Sequence, residues 1–308
     1  MGACAAMICG SVQAAPEPRC PGDPLAAATT PVVQIDPRQT PDGLAPAFGS
    51  LQYRRVPGLG PKDIALTIDD GPNPVGTPKV LRILADHCIK TTFFLVGEYA
   101  ALRPDLVRAE AAAGHFIGTH SWSHPDNLRR LTPAAAQREI TRGFQAVQDS
   151  LAGAPAADRA QLAPFFRFPG LNDSRTLRAW LGQQQIAVIG ADFGTDDWKG
   201  IGAAEIERRA IRNAGEARGG VLIVHDTRPH TAEALSSLIT ALEERGYRFV
   251  QLAPAPGPAQ LSAAPPPLAP VHTQVRVDNL QSRIGAWRVQ LVLIADRLGG
   301  QWSRVWNN

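Results

Sequence analysis

The sequence predicts an α/β fold in which parallel strands and helices alternate around a (β/α) barrel. Two observations carry this expectation. Seven strand candidates alternate with helical stretches between about residues 62 and 251, the pattern of a parallel sheet covered by crossover helices. Five polar residues, Asp69, His120, Arg167, Asp192 and His225, each stand at or just beyond the C-terminal end of a different strand candidate. A barrel brings all its strand ends to one mouth and would gather these five, whereas an open sheet gathers only those near its switch point.

The strand candidates are 64–69, 91–96, 115–119, 165–169, 186–191, 220–225 and 247–251, and the helical stretches are 78–88, 99–113, 133–151, 174–184, 203–217 and 231–245. Gly114 and Gly246 follow two of the helices, where a left-handed residue stops the turn. Thr132-Pro133 opens another as N-cap and first helical residue. Around this catalytic-sized segment, residues 61–253, lie a Pro/Ala-rich arm at 15–60 and a Pro/Ala-rich linker at 254–270. In the tail, 271–308, Val277, Leu280, Ile284, Trp287, Leu291, Ile294 and Leu298 recur at steps of three and four. That is an amphipathic helix, suited to docking on its own domain, to self-association or to contact with an anionic envelope surface.

The chain has 308 residues, 44% apolar and 19% charged, as in a globular protein with a real core. A formal charge of +3 is too small, and too evenly spread, to argue for nucleic acid. No run of 18 apolar residues suggests a transmembrane span. Met1–Ala14 is small and apolar, with Val12 and Ala14 placed as the small residues before a cleavage site, although the usual basic start is absent. The expectation is a signal peptide at 1–14 and export to the periplasm or cell envelope. Cleavage there would leave Cys20 and Cys88, which could pair in an oxidising compartment. The reading slightly favoured by sequence keeps them apart, one in a loose arm and one packed in a helix.

Chemistry concentrates in five stretches. Ile64-Ala-Leu-Thr-Ile-Asp69-Asp70-Gly71-Pro72 is a strand running into two carboxylates and a turn, able to aim one carboxylate at a metal with the other beside it. His120-Ser-Trp-Ser-His124 offers two imidazoles four residues apart, among only seven histidines in the chain. With Asp70 they make two histidines and a carboxylate with open positions, the donor set of a catalytic rather than a structural zinc. Arg167, in Phe165-Phe-Arg-Phe-Pro169-Gly170, can hold a neighbouring carboxylate ionised, although an isolated Arg is more often a structural ion pair. Asp192-Phe-Gly-Thr-Asp196-Asp197-Trp198 supplies carboxylates, of which at least one could be only a helix cap. Leu222-Ile-Val-His225-Asp226 is a hydrophobic strand delivering a histidine to the mouth, as a general acid or base would be placed.

In this order and spacing the five stretches resemble the polysaccharide deacetylase family, the NodB-homology or carbohydrate esterase family 4 domain, over roughly residues 60–253. The resemblance implies a distorted, TIM-like barrel of about seven parallel strands and removal of N-acetyl groups from an N-acetylglucosamine-containing glycan. It implies Asp69 as base, Asp70, His120 and His124 as ligands of zinc (or another divalent ion such as cobalt), Arg167 as the buttress of the base and His225 as acid. It also implies an oxyanion contact from Gly170 and a substrate pocket walled by Trp198 and Leu222, with Pro169 and Asp197 beside it. Three departures stand out. Ile68 replaces the usual Phe. Gly170-Leu171 follows Pro169 where the family has an aromatic and then Gly, so an aromatic sugar platform is missing. Gly194 stands where many members have Asp, which leaves the residue orienting His225 open between Asp192, Asp196 and Asp197.

Other readings keep parts of this pattern. The same donor set suits a non-haem iron oxygenase, though nothing suggests a cosubstrate. A non-catalytic carbohydrate-binding barrel would be expected to lack ligands or base. A deacetylase-like amidohydrolase acting on a small non-sugar amide draws some weight from the missing aromatic.

Overall fold

The structure, a computed structural model, describes residues 30–256. The expected signal peptide, the helical tail and most of the Pro/Ala-rich linker lie outside them. The elements begin with β1 (Val32–Ile35), β2 (Ala47–Phe48) and β3 (Asp63–Asp69), then α1 (Gly76–Asp86) and β4 (Thr92–Leu95). Next come α2 (Gly97–Leu102), α3 (Pro104–Ala112), β5 (Phe116–Thr119), α4 (Pro133–Ser150) and α5 (Ala156–Arg159). β6 (Leu162–Phe166), α6 (Arg175–Gln183), β7 (Ala187–Ile189) and β8 (Phe193–Gly194) follow. The last are α7 (Ala203–Ala217), β9 (Gly220–His225), α8 (Pro229–Glu243) and β10 (Arg248–Pro254).

Every strand pairing is parallel. β3 lies at the centre because all seven of its residues are buried, as a strand covered on both faces must be. β9 follows one edge of β3 from Ile64↔Gly220 to Asp69↔His225. The other edge is shared, β10 taking residues 63–65 and β4 residues 67–69. The seven expected strands appear as β3, β4, β5, β6, β7, β9 and β10, and β8, which was not expected, adds to the free edge of β9. No ladder joins β7 to β8 among the described residues, and there the barrel is distorted.

Strand alternation sorts the side chains. Ile64, Leu66 and Ile68 of β3, Phe93 and Leu95 of β4, and Leu222 and Val224 of β9 pack with the helices in one buried cluster. Their alternates Ala65, Phe94, Phe165 and Val221 pack with Ala187 and Ile189 in a second, interior cluster. Asp69, Arg167 and His225 fall on this interior phase at strand ends, so the pattern that builds the core also aims them into the mouth.

Several boundaries differ from expectation. The helix expected at 99–113 is two, α2 and α3, because Pro104 cannot continue the turn and instead starts the next one. β6 ends at Phe166 rather than at 169, although the Arg167 N–H still donates to Thr119 O of β5 at 3.0 Å. From residue 30 onward the Pro/Ala-rich arm is structured. β1 pairs with β10 and β2 with β7, strands too short to show a period of two. Cys88 is disulfide-bonded, against the favoured sequence reading, with its partner outside the described residues. Among the described residues no helix is long and apolar enough to cross a membrane.

Candidate active site

Asp69 ends β3 almost fully buried. Arg167, wholly buried, donates from Nη1 to Asp69 Oδ1 at 2.6 Å and to Thr67 Oγ1 at 2.8 Å. Its Nε and Nη2 donate to the carbonyls of Ile189 and Gly190 at 2.8 and 2.7 Å, and its guanidinium lies 4.2 Å over the Phe94 ring. A buried guanidinium with its donors engaged is a fixed charge. Burial pushes the Asp69 carboxyl above its usual range, and the Arg167 charge opposes this. Asp69 Oδ2 is left facing His120 Nε2 at 3.7 Å.

Asp70 follows with a left-handed φ of 71°, beside a cis Gly71–Pro72 bond. This turns its side chain away from that of Asp69 and toward the histidines. His120 leaves β5, its backbone N–H donating to Leu95 O. The loop beyond is held by α2, where Gly97 and Glu98 donate to the carbonyls of Ser121 and Trp122, both at 2.9 Å. Ser121 and His124 both have positive φ, and the His124 N–H donates to Ser121 Oγ at 3.1 Å. The resulting turn stacks the two imidazoles edge to face, 4.7 Å between centroids. Nε2 of His120 and of His124 lie 3.7 and 3.5 Å from Asp70 Oδ1.

These three residues fit a divalent cation. Their donor atoms lie within 4.8 Å of one another. Asp70 Oδ1 is buried without a hydrogen-bond partner, a costly state unless something positive meets it. His120 Nδ1 donates to Arg167 O at 2.8 Å, which leaves Nε2 as the free lone pair. Burial, with His124 adding to it, pushes His120 down to about 3, so the imidazole is neutral and able to ligate.

His225 is the register partner of Asp69 on β9. Of the three candidate orienting carboxylates, Asp197 reaches it, accepting from Nδ1 at 2.9 Å and from the His225 backbone N–H at 2.8 Å. Thr231 Oγ1 donates to the same carboxylate at 2.6 Å. Asp192 instead accepts backbone N–H groups of Ser50 and Val221, and Asp196 pairs with Arg209 and Lys199. Burial opposes a charge on His225, but Asp197, helped by Asp69 and Asp70, outweighs it and raises the imidazole to about 9. Burial would likewise raise Asp197, yet the bonds from His225 and Thr231 hold it below the usual carboxylate range.

A cleft of about 1020 Å³ joins Asp69, Asp70, His120, His124, Asp197 and His225 with Gly170, Leu171 and Trp198. Gly170 and Leu171 both have positive φ, at 58° and 56°. Two expected pocket residues are corrected. Leu222 is fully buried against the helices, and Ile223, two residues before His225 and therefore on its face, lines the cleft. Pro169 is buried beside the cleft without lining it. Sequence reading also missed Asn213 and the arm residues Ser50 and Leu51 as lining of the cleft. Counting in twos back from His225 would have found Ile223, but no local signal marked the arm.

The polysaccharide deacetylase family profile matches residues 57–188. The chitooligosaccharide deacetylase of Sinorhizobium fredii is 34% identical over 213 residues, covering 64% of this chain and 94% of that protein. The chain belongs to the polysaccharide deacetylase family. Another relative, the peptidoglycan N-acetylglucosamine deacetylase PgdA of Listeria monocytogenes, is 31% identical over 191 residues, or 62% of this chain. The match spans only 38% of that protein's length. Among solved structures, the peptidoglycan deacetylase of Bdellovibrio bacteriovorus superposes with a TM-score of 0.63 at 27% identity, over 76% of this chain and 61% of that one. The family's parallel α/β fold and the described strands agree.

Proposed function

We propose that the chain is a metal-dependent hydrolase that removes N-acetyl groups from N-acetylglucosamine residues of a peptidoglycan or chitin-like glycan, releasing acetate. One observation carries this reading: a ligand triad, an Arg-held carboxylate and a carboxylate-held imidazole share one cleft. Asp70, His120 and His124 would hold the ion, zinc by preference for this donor set. When bound, such an ion polarises an acetyl carbonyl and acidifies water.

The chain's own groups then divide the work. Asp69, fixed through Oδ1 by Arg167, presents Oδ2 to take the proton of the attacking water. The Gly170 N–H is assigned to the developing oxyanion. His225, protonated at neutral pH and anchored through Nδ1, gives its Nε2 proton to the departing amine. Trp198 and Ile223 are read as walls of the acetyl pocket.

At about 1020 Å³ the cleft lies at the top of the range for drug-sized molecules, about 300 to 1,000 Å³, and leaves room for more than a small amide. Peptidoglycan and chitin-like glycans lie outside the cytoplasm, which supports the export expected from the N-terminal segment. The test is acetate release by zinc-loaded protein from peptidoglycan, N-acetylglucosamine oligomers and free N-acetylglucosamine. Equal release by the chelated protein and by His120→Ala would refute the reading.

A further inference from the structure

The cleft extends beyond the reacting groups to a wall supplied by the N-terminal arm. Ser50 and Leu51 line it, together with Asn213 and Glu216 of α7. Leu51 is 56% exposed and Trp198, in the same cleft, 55%. A single exposed apolar side chain is ordinary, but two of them lining one cleft among polar groups make the kind of groove that takes a ligand.

The turn that carries Leu51 is locked. Gly49 has φ +113° and lies so close to the 190–191 backbone that a Cβ would overlap Ala191 N. Gln52 and Tyr53 both donate their N–H groups to Gly49 O, at 3.0 and 2.7 Å, and Leu51 N–H donates to Ala191 O at 3.0 Å. Ser50 N–H donates to the buried Asp192 carboxylate at 2.7 Å. The same turn holds the loop that carries Gly170: Gln52 Nε2 donates to Leu171 O, and Tyr53 Oη donates to Asp173 Oδ2 at 2.8 Å. The turn lies ahead of residue 57, where the family profile match begins.

We propose that the turn Gly49–Tyr53 forms a second sugar subsite. In it Leu51 packs on the apolar C–H face of the ring next to the one being deacetylated. The inference rests on the deacetylase reading. A pyranose presents an apolar face with hydroxyls around its rim, and Leu51, in a cleft also lined by Ser50, Asn213 and Glu216, offers an apolar surface with polar groups in the same cleft. Leu51 thereby stands in for the aromatic platform absent after Pro169. The substrate class is a glycan of at least two sugars, not a free monosaccharide.

The full zinc-loaded chain tests this with an N-acetylglucosamine tetramer and the monomer. Calorimetric binding is measured in an Asp69→Asn background and acetate release in the active one. Leu51→Ser should lower the tetramer-over-monomer preference about fivefold, the effect of losing half a buried Leu contact, while Leu51→Phe restores or exceeds it. Tetramer binding that ignores Leu51, or wild-type protein that binds tetramer no better than monomer, overturns the subsite. Leu51-dependent binding without acetate release supports the subsite and overturns the deacetylase reading. Acetate release with Leu51-independent binding does the reverse.

Discussion

Asp197 grips His225 at two points, with Oδ1 2.9 Å from Nδ1 and Oδ2 2.8 Å from the backbone nitrogen. One contact sets the ring's tautomer and charge and the other its place at the end of β9. His225 is raised to about 9, so its acid form is present below that pH and is lost above it. Asp197→Asn keeps the shape and removes the charge. The alkaline limb of kcat/KM should move down by about one to two pH units, and kcat should fall about tenfold to a hundredfold. A pH–rate profile decides it, and an unmoved alkaline limb would detach Asp197 from His225's chemistry.

The two adjacent aspartates should fail in different ways. Asp69 is held by Arg167, while Asp70 Oδ1 is unpartnered between two imidazoles. Asp69→Asn should retain zinc and lose about 10²–10⁴-fold in kcat, the usual worth of a general base. Asp70→Asn should weaken zinc at least about tenfold to a hundredfold, the loss seen when even an outer supporting partner is removed. Zinc titration alongside acetate release separates them. Two variants with the same zinc affinity would break the division of labour.

Much of this arrangement could be read from residues alone, because strand ends impose it. Asp69 and His225 sit on the interior phase of β3 and β9, Arg167 continues that of β6 one residue past its end, and in β3 the alternation of Ile64, Leu66 and Ile68 with Ala65 and Thr67 already fixes the phase. Leu222 was misassigned because the motif was matched by spacing, when the period of two points to Ile223. The arm was opaque for a different reason. Its place depends on long-range bonds such as Ser50 N–H to Asp192, 142 residues apart, and two-residue strands carry no periodic signal. Asp197 could not be chosen from three nearby carboxylates, because turn geometry decides which one reaches His225.

Asp192 spans the open seam of the barrel, accepting Ser50 N–H and Val221 N–H at 2.7 Å each. Gly220, at φ +120°, leaves it room, since a Cβ there would overlap its carboxylate. Asp192→Asn turns one acceptor into a donor facing an N–H group. The cost should be about 1–3 kcal/mol in urea unfolding, with a drop in tetramer preference because the Leu51 turn loses its anchor. A change under about 0.5 kcal/mol, the ordinary scatter of surface substitutions, would show that the arm is held elsewhere.

Asp226, next to His225, has one carboxyl oxygen bonded by Thr77 Oγ1 and the other buried without a partner. Burial raises it to about 7, with the Thr77 bond opposing and the charge of Asp70 adding. An unfolded Asp titrates near 3.9. Between about pH 4 and pH 7 the folded chain therefore binds a proton that the unfolded chain has lost. The contribution of Asp226 to stability falls as pH rises through that window and levels off above it. Asp226→Asn cannot ionise and keeps an oxygen for Thr77. Its stability relative to wild type should rise across the same window by up to about 4 kcal/mol, an upper bound from roughly three pH units. The amide's own unpaired N–H adds an offset that is equal at every pH and leaves the slope difference intact. Urea unfolding of chelated protein at several pH values measures it, chelation being needed because a bound cation would pull the carboxyl back down. Parallel stability curves for variant and wild type would mean that Asp226 ionises in the folded chain as readily as in the unfolded one.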